Sequence, residues 1–157
     1  MIISWQGKEN FTIKTKSKTV KIGSEISLGE LKIATPGEYE AGGVQIEVID
    51  GTVMLFSEKM TIAWMKKARM LTDEELERLN GIDVLLVGVG GGDFTETKTA
   101  LDVIGQIDPK VVIPMYLENL ESFTKEEGIP AEGQDQFKFT PNDLPQEERK
   151  VIILNAS

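Results

Sequence analysis

Two stretches of this chain, Asp83-Val84-Leu85-Leu86-Val87 and Val111-Val112-Ile113-Pro114, run apolar without alternation. A strand with one wet face alternates apolar and polar residues, so a continuous apolar run marks a strand buried on both faces. Between them, Thr95 to Ile107 places Leu101, Ile104 and Ile107 on one helical stripe, and Pro109 follows. Strand, helix and strand in that order, after a run of strands, suggest sheets packed together with helices outside, which places the chain in the α/β class.

The first 65 residues have a different texture. Short alternating runs at Ile2–Trp5, Phe11–Thr15, Thr19–Ile22 and Leu31–Ala34 are punctuated by Gly7, Gly23 and Gly29. Val44–Ile49 and Val53–Phe56 flank Asp50-Gly51, a dipeptide favoured in two-residue hairpin turns, and Thr61–Met65 forms a further strand. Past Leu71, Thr72-Asp73-Glu74-Glu75 is a capping box with acids in the first helical turn, and Asn80-Gly81 supplies the stop. A short acidic helix is expected around Leu117–Glu127, closed by Gly128 and Pro130, with last strands at Phe137–Thr140 and Val151–Leu154. No linker or repeat interrupts residues 1–157, so a single domain of packed sheets with outer helices is expected. Trp5 and Trp64, with Met54, Met60, Met65 and Met70, read as core.

Composition bears on chemistry more than on fold. The chain has no histidine and no cysteine. Histidine is the commonest transition-metal ligand and the most frequent general base near neutral pH. Without either residue an ordinary zinc site cannot be assembled, and neither a disulfide nor a thiolate nucleophile is available. The acids Glu74, Glu75, Glu126 and Glu127 match no calcium loop and read as solvated helix faces. The formal charge of −9 is uneven: residues 1–70 hold 10 Lys/Arg against 8 Asp/Glu, and residues 71–157 hold 7 against 18. An acidic chain repels phosphate backbones, so nucleic acid is disfavoured as a partner. Lys14, Lys16, Lys18 and Lys21 read as the wet, aggregation-resistant face of an edge hairpin. With no bilayer-length apolar run and no signal-peptide pattern at Met1–Trp5, a cytoplasmic protein without a membrane partner is expected.

Two loops invite a nucleotide reading and fail it. Gly88-Val89-Gly90-Gly91-Gly92 follows a strand and precedes a helix, but Asp93 stands where a dinucleotide fingerprint needs glycine. Gly92 through Thr99 approaches a P-loop, yet Thr97 stands where glycine must let the backbone wrap phosphate. A close-packed turn is the reading adopted. Ser122-Phe123-Thr124-Lys125 matches Ser-x-x-Lys without the accompanying Ser-Asp-Asn, and is set aside.

Four stretches, taken in order, resemble a bacterial branch of the metallo-β-lactamase fold. They are Ile3-Ser4-Trp5-Gln6-Gly7; Thr35-Pro36-Gly37-Glu38-Tyr39-Glu40 with Gly43-Val44; Leu71 to Leu76 with Ile82 to Leu86 and Gly90-Gly91; and Ile107 to Met115. The resemblance implies an αββα sandwich, here shortened, with a metal site at the sheets' edge and metal-activated water for hydrolysis. It also implies where ligands belong, and each such position departs from the pattern. The His-x-His-x-Asp-His segment belongs before the Pro-Gly-Glu stretch, an interval this chain crosses with only Ser24 to Glu30. The bridging aspartate maps to Lys66, or one residue away to Lys67; the histidine after Pro-Met maps to Tyr116; that after the opening glycine maps to Lys8. A cation in place of an anionic ligand opposes metal binding.

The resemblance therefore implies no catalytic residue, no bound metal and no cofactor. It leaves a vestigial pocket with Lys8, Lys66, Tyr116 and Glu38 or Glu40 as candidates. The expected role is that of an inactive homologue working through a protein partner or a second copy. The alternative is a small-molecule anion binder, or a metal-independent hydrolase, reusing the pocket.

Overall fold

The computed structural model describes residues 1–117, 120–127 and 132–157. Nine strands come first: β1 (Ile2–Trp5), β2 (Phe11–Lys14), β3 (Thr19–Ile22), β4 (Ile26–Leu28), β5 (Leu31–Ile33), β6 (Gly37–Ala41), β7 (Val44–Ile49), β8 (Thr52–Ser57) and β9 (Met60–Met65). Then α1 (Asp73–Arg78), β10 (Val84–Gly88), α2 (Thr97–Ile107), β11 (Val111–Met115) and α3 (Glu121–Glu127) alternate. The chain finishes with β12 (Gly133–Gln134), β13 (Phe137–Lys138), β14 (Lys150–Val151) and β15 (Ile153–Leu154).

These strands form a six-stranded sheet, β13-β1-β2-β3-β4-β5, and a seven-stranded sheet, β14-β11-β10-β9-β8-β7-β6, with β12 and β15 paired apart. The second sheet is antiparallel from β6 to β9 and parallel from β9 through β10 and β11 to β14. The two continuous apolar runs are the parallel strands β10 and β11, and every residue of both is buried.

Two cores follow from this layering. One fills the space between the sheets, where Ile3, Phe11, Ile13 and Val20 meet Ile46, Leu55, Trp64 and Ile113. The other lies outside the second sheet, where Met65, Leu85, Val87 and Val112 meet Leu79, Val103, Ile104 and Phe123 from the helical side. All three described helices sit on that one side. The outer face of the first sheet has no helical layer among the described residues. No helix among the described residues is long and apolar enough to cross a membrane.

Several local expectations need correction. The β2–β3 hairpin lies inside its sheet, with β1 beyond one strand and β4-β5 beyond the other, so Lys14 and Lys21 line an open sheet face rather than an edge, and Lys16 and Lys18 lie in the connecting turn. Ser24 to Glu30 holds a strand, β4, and Gly37–Ala41 is also a strand; neither was anticipated. Met70 is half exposed, unlike Met60 and Met65. Helix α2 begins at Thr97 and ends at Asp108, whose left-handed backbone stops it before Pro109. Its buried residues are Ala100, Val103 and Ile104, and the expected Leu101 and Ile107 pack partly buried against the same core. The expected closure of α3 at Gly128 and Pro130 lies outside the described residues.

The capping box of α1 forms as the sequence indicates: the Glu75 amide donates to the Thr72 hydroxyl, and the Thr72 amide donates to the Glu75 carboxylate. Arg69 adds two hydrogen bonds to Glu75, at 2.9 and 2.7 Å. The Arg69 hydrogen bond, joined by that from the Thr72 amide, lowers the Glu75 pKa from 4.5 to about 2. A depressed carboxylate stabilises the fold above its ordinary pKa and loses that contribution as pH falls towards about 2. Gln106 anchors the segment to α2 by accepting from the Leu71 amide and donating to its carbonyl.

Candidate functional site

The parallel strands β9, β10 and β11 all end on one edge, so the residues that follow them meet there. Lys66 leaves β9, the glycine loop leaves β10 and Tyr116 leaves β11. The Val89 amide donates to the Met115 carbonyl at 3.0 Å. Thr95 ties the loops together, accepting from the Ala68 amide at 2.8 Å and donating to the Lys66 carbonyl at 3.3 Å. The glycine loop folds back on itself, with the Gly91 amide on the Thr95 carbonyl and the Phe94 amide on the Gly91 carbonyl. Gly90, Gly91 and Gly92 adopt positive φ to make that turn, which buries Phe94. The loop is a turn closed around an aromatic plug, with the Gly91 and Phe94 amides bonded within it.

The first sheet contributes the turn between β1 and β2. Gly7 and Lys8 take positive φ, and the Asn10 amide donates to the Gly7 carbonyl. Two indoles grip this turn: Trp5 Nε1 donates to the Lys8 carbonyl at 2.8 Å, and Trp64 Nε1 donates to the Glu9 carbonyl at 2.9 Å. Both tryptophans are buried, as their apolar settings indicated. Their polar edges are satisfied by the turn they pack beneath.

With the turn held down, Glu9 reaches Lys66. The Lys66 ammonium lies 2.9 Å from the Glu9 carboxylate, with the two side chains 33% and 21% exposed. The same ammonium stands 5.9 Å from the centre of the Phe94 ring. Tyr116 packs its ring against Trp5 at 4.7 Å between centroids. Burial raises the Tyr116 pKa above 10.0, which keeps the hydroxyl protonated at neutral pH.

Lys8, Lys66 and Tyr116 thus stand on the loops of one edge. Glu38 and Glu40 do not: they lie exposed on β6, separated from β9 by β7 and β8. The carboxylate that meets Lys66 is Glu9, a residue sequence reasoning passed over. Its signal was its place in Gly7-Lys8-Glu9-Asn10, a turn already bracketed by a glycine and an asparagine.

This donor set does not fit a transition metal. Among the described residues there is no group of three or more His, Cys, Asp or Glu able to hold one. At the edge itself Glu9 is committed to an ammonium. A cavity of about 260 Å³ lies under α1, floored by Met54, Met65 and Leu79, and one of about 1010 Å³ lies by β3–β5. Neither is lined by Lys8, Lys66 or Tyr116.

The pair is neither buried nor free, so Lys66→Ala should cost about 1–2 kcal/mol, between the ranges for surface and fully buried pairs. Lys67, exposed and donating only to the Gly92 carbonyl, should change stability by no more than about 0.5 kcal/mol when replaced by alanine. Denaturant melts of the two variants check this; equal effects would show that the Lys66–Glu9 contact does not hold the edge.

The family model of the β-lactamase superfamily domain matches residues 5–116, a span bounded by the ring pair Trp5 and Tyr116. Among solved structures, the chain is similar to a Thermotoga maritima protein of the metallo-β-lactamase superfamily, named as a Zn-dependent hydrolase. The TM-score is 0.82 at 22% identity, over 99% of this chain and 100% of that one. It is also similar to Igni18, a metallo hydrolase from the archaeon Ignicoccus hospitalis, with TM-score 0.64 and 11% identity over 88% and 99% of the two chains. Both likenesses are of fold.

Proposed function

The chain belongs to the β-lactamase superfamily domain family, and from that premise we propose that it is a metal-free member acting through protein contacts rather than hydrolysis. One observation carries this reading: the edge between the sheets is filled from both sides, by the Lys66–Glu9 pair and by Tyr116 against Trp5. Hydrolysis by this fold needs a metal-polarised water in an open position at that edge. Here the edge holds the Lys66 ammonium, whose charge is already matched by Glu9. The same match speaks against Lys66 as an anion-binding group, because its charge is already neutralised by Glu9. A cytoplasmic protein docking on a partner or on a second copy is the role we assign.

The test joins metal loading to catalysis. Untagged protein is exposed to zinc and to manganese, desalted, analysed for metal, and assayed with chromogenic ester, amide and phosphodiester substrates. Metal well below one per chain and no turnover above buffer are expected. Stoichiometric metal accompanied by hydrolysis would sink the proposal. Crosslinking in the native cell should then yield one defined partner or a crosslinked copy; recovery of uncrosslinked monomer alone would argue against the interaction role.

A further inference from the structure

The open face of the first sheet carries a row of side chains that the edge does not use. Strand register sets Ser4 opposite Thr12, Thr12 opposite Lys21, Lys21 opposite Ser27 and Ser27 opposite Lys32. Neighbouring strands lie about 4.8 Å apart, so Lys21 and Lys32 leave the sheet about 10 Å from one another with the short Ser27 between them. Both lysines are exposed, and neither makes an ion pair among the described residues. In the next row Lys14 and Lys138 flank Ile2 in the same way. This face therefore gathers four lysines, with no carboxylate at the outward positions of those two rows, on a chain whose formal charge is −9.

The cavity of about 1010 Å³ takes in Thr12, Lys21, Ser27 and Lys32 together, with Glu25 and Glu30 also in its lining. Two ammonium groups facing each other across one strand repel, and an anion seated between them relieves that repulsion. A phosphate has the right shape: its oxygens accept from both lysines and from the serine hydroxyl below. Glu25 and Glu30 repel a second anionic group while offering acceptors to hydroxyls. They select against polyphosphates and nucleic acid.

We propose that the outer face of the first sheet binds a phosphate monoester of a small neutral polyhydroxy body, its phosphate between Lys21 and Lys32 above Ser27. The cavity reaches Gln6 and Asn10 beside the β1–β2 turn, but the proposed phosphate contacts use none of the Lys66–Glu9 or Tyr116–Trp5 groups and do not depend on how the edge is read.

Ribose 5-phosphate is the probe, titrated by calorimetry at low ionic strength beside ribose, inorganic phosphate and ATP. Saturable binding of ribose 5-phosphate is expected, tighter than that of the other three. It should weaken about tenfold or more in Lys21→Met/Lys32→Met, hold within about twofold in Lys21→Arg/Lys32→Arg, and be unchanged in Lys98→Met on α2. The lysines are exposed, so thermal melts of the unliganded variants should match that of the parent. Absent saturable binding, or equal affinity in the methionine double variant, overturns the site. Binding of ATP or inorganic phosphate as tight as that of ribose 5-phosphate overturns the ligand class.

Discussion

Replacing Gly88 by alanine is expected to destabilise the protein by about 3 kcal/mol or more, or to prevent folding outright. Gly88 ends β10 in the middle of the second sheet, and a Cβ there would overlap the Lys66 carbonyl and press on the Phe94 side chain. The obstacle is backbone, held by the Thr95 hydroxyl on one side and the β9–β10 ladder on the other, so it cannot step aside. Gly105 offers the opposite case. It lies exposed inside α2 with nothing within 4 Å of an added Cβ, so Gly105→Ala should stabilise by about 0.5–1 kcal/mol through helix propensity. Denaturant unfolding of the two variants should give changes of opposite sign. A Gly88→Ala protein with parental stability would mean that the loops at the edge are not packed as described.

The second large effect concerns Trp5. Its ring is 4% exposed, packs on Tyr116 and Phe11, and donates its indole N–H to the Lys8 carbonyl. Trp5→Ala removes the packing and leaves a cavity, at a cost of about 3–5 kcal/mol. Trp5→Phe keeps most of the ring but leaves the Lys8 carbonyl without its donor, costing about 1–2 kcal/mol. The difference separates packing from hydrogen bonding. Trp5→Ala should also loosen the turn that presents Glu9, so the Lys66–Glu9 coupling in a double-mutant cycle should shrink when measured in that background. Undiminished coupling would show that the turn holds its shape without the indole.

Much of the second sheet was legible because its signals are local. The capping box of α1, the Asp50-Gly51 turn and the unbroken apolar runs of β10 and β11 each depend on a few adjacent residues whose backbone preference agrees with the final fold. Strand β6 was missed because Pro36-Gly37 reads as a turn and Glu38 and Glu40, on either side of Tyr39, are poor strand formers; pairing with β7 overrides that. The lysine-rich hairpin was misplaced for a related reason. Alternating lysines report one wet face, and a wet face occurs equally on an edge strand and on an inner strand of a sheet left uncovered. Which of the two applies depends on the strand order, a fact no local window contains.

The edge shows the same limit from the side of chemistry. Lys66 and Tyr116 could be placed together only through the resemblance, which maps both to metal-ligand positions; the structure brings them to one edge because each follows a strand of the parallel set. Glu38 and Glu40 could not be excluded without strand order. Glu9 could not be selected without knowing that two indoles, one from each sheet, converge on its turn.

The pairing of β13 with β1 sets an order on the chain's assembly. Ile2 lies opposite Lys138, Ile3 lies opposite Phe137, and the amino group of Met1 donates to the Phe139 carbonyl. Every other strand pair of the first sheet joins sequence neighbours and can form as soon as both have left the ribosome. The β1 flank has to wait until Phe137 and Lys138 have been made. During that interval β1 is a nascent edge with unsatisfied amides, and Ile2, on the face that no helix covers, is the apolar side chain beside it.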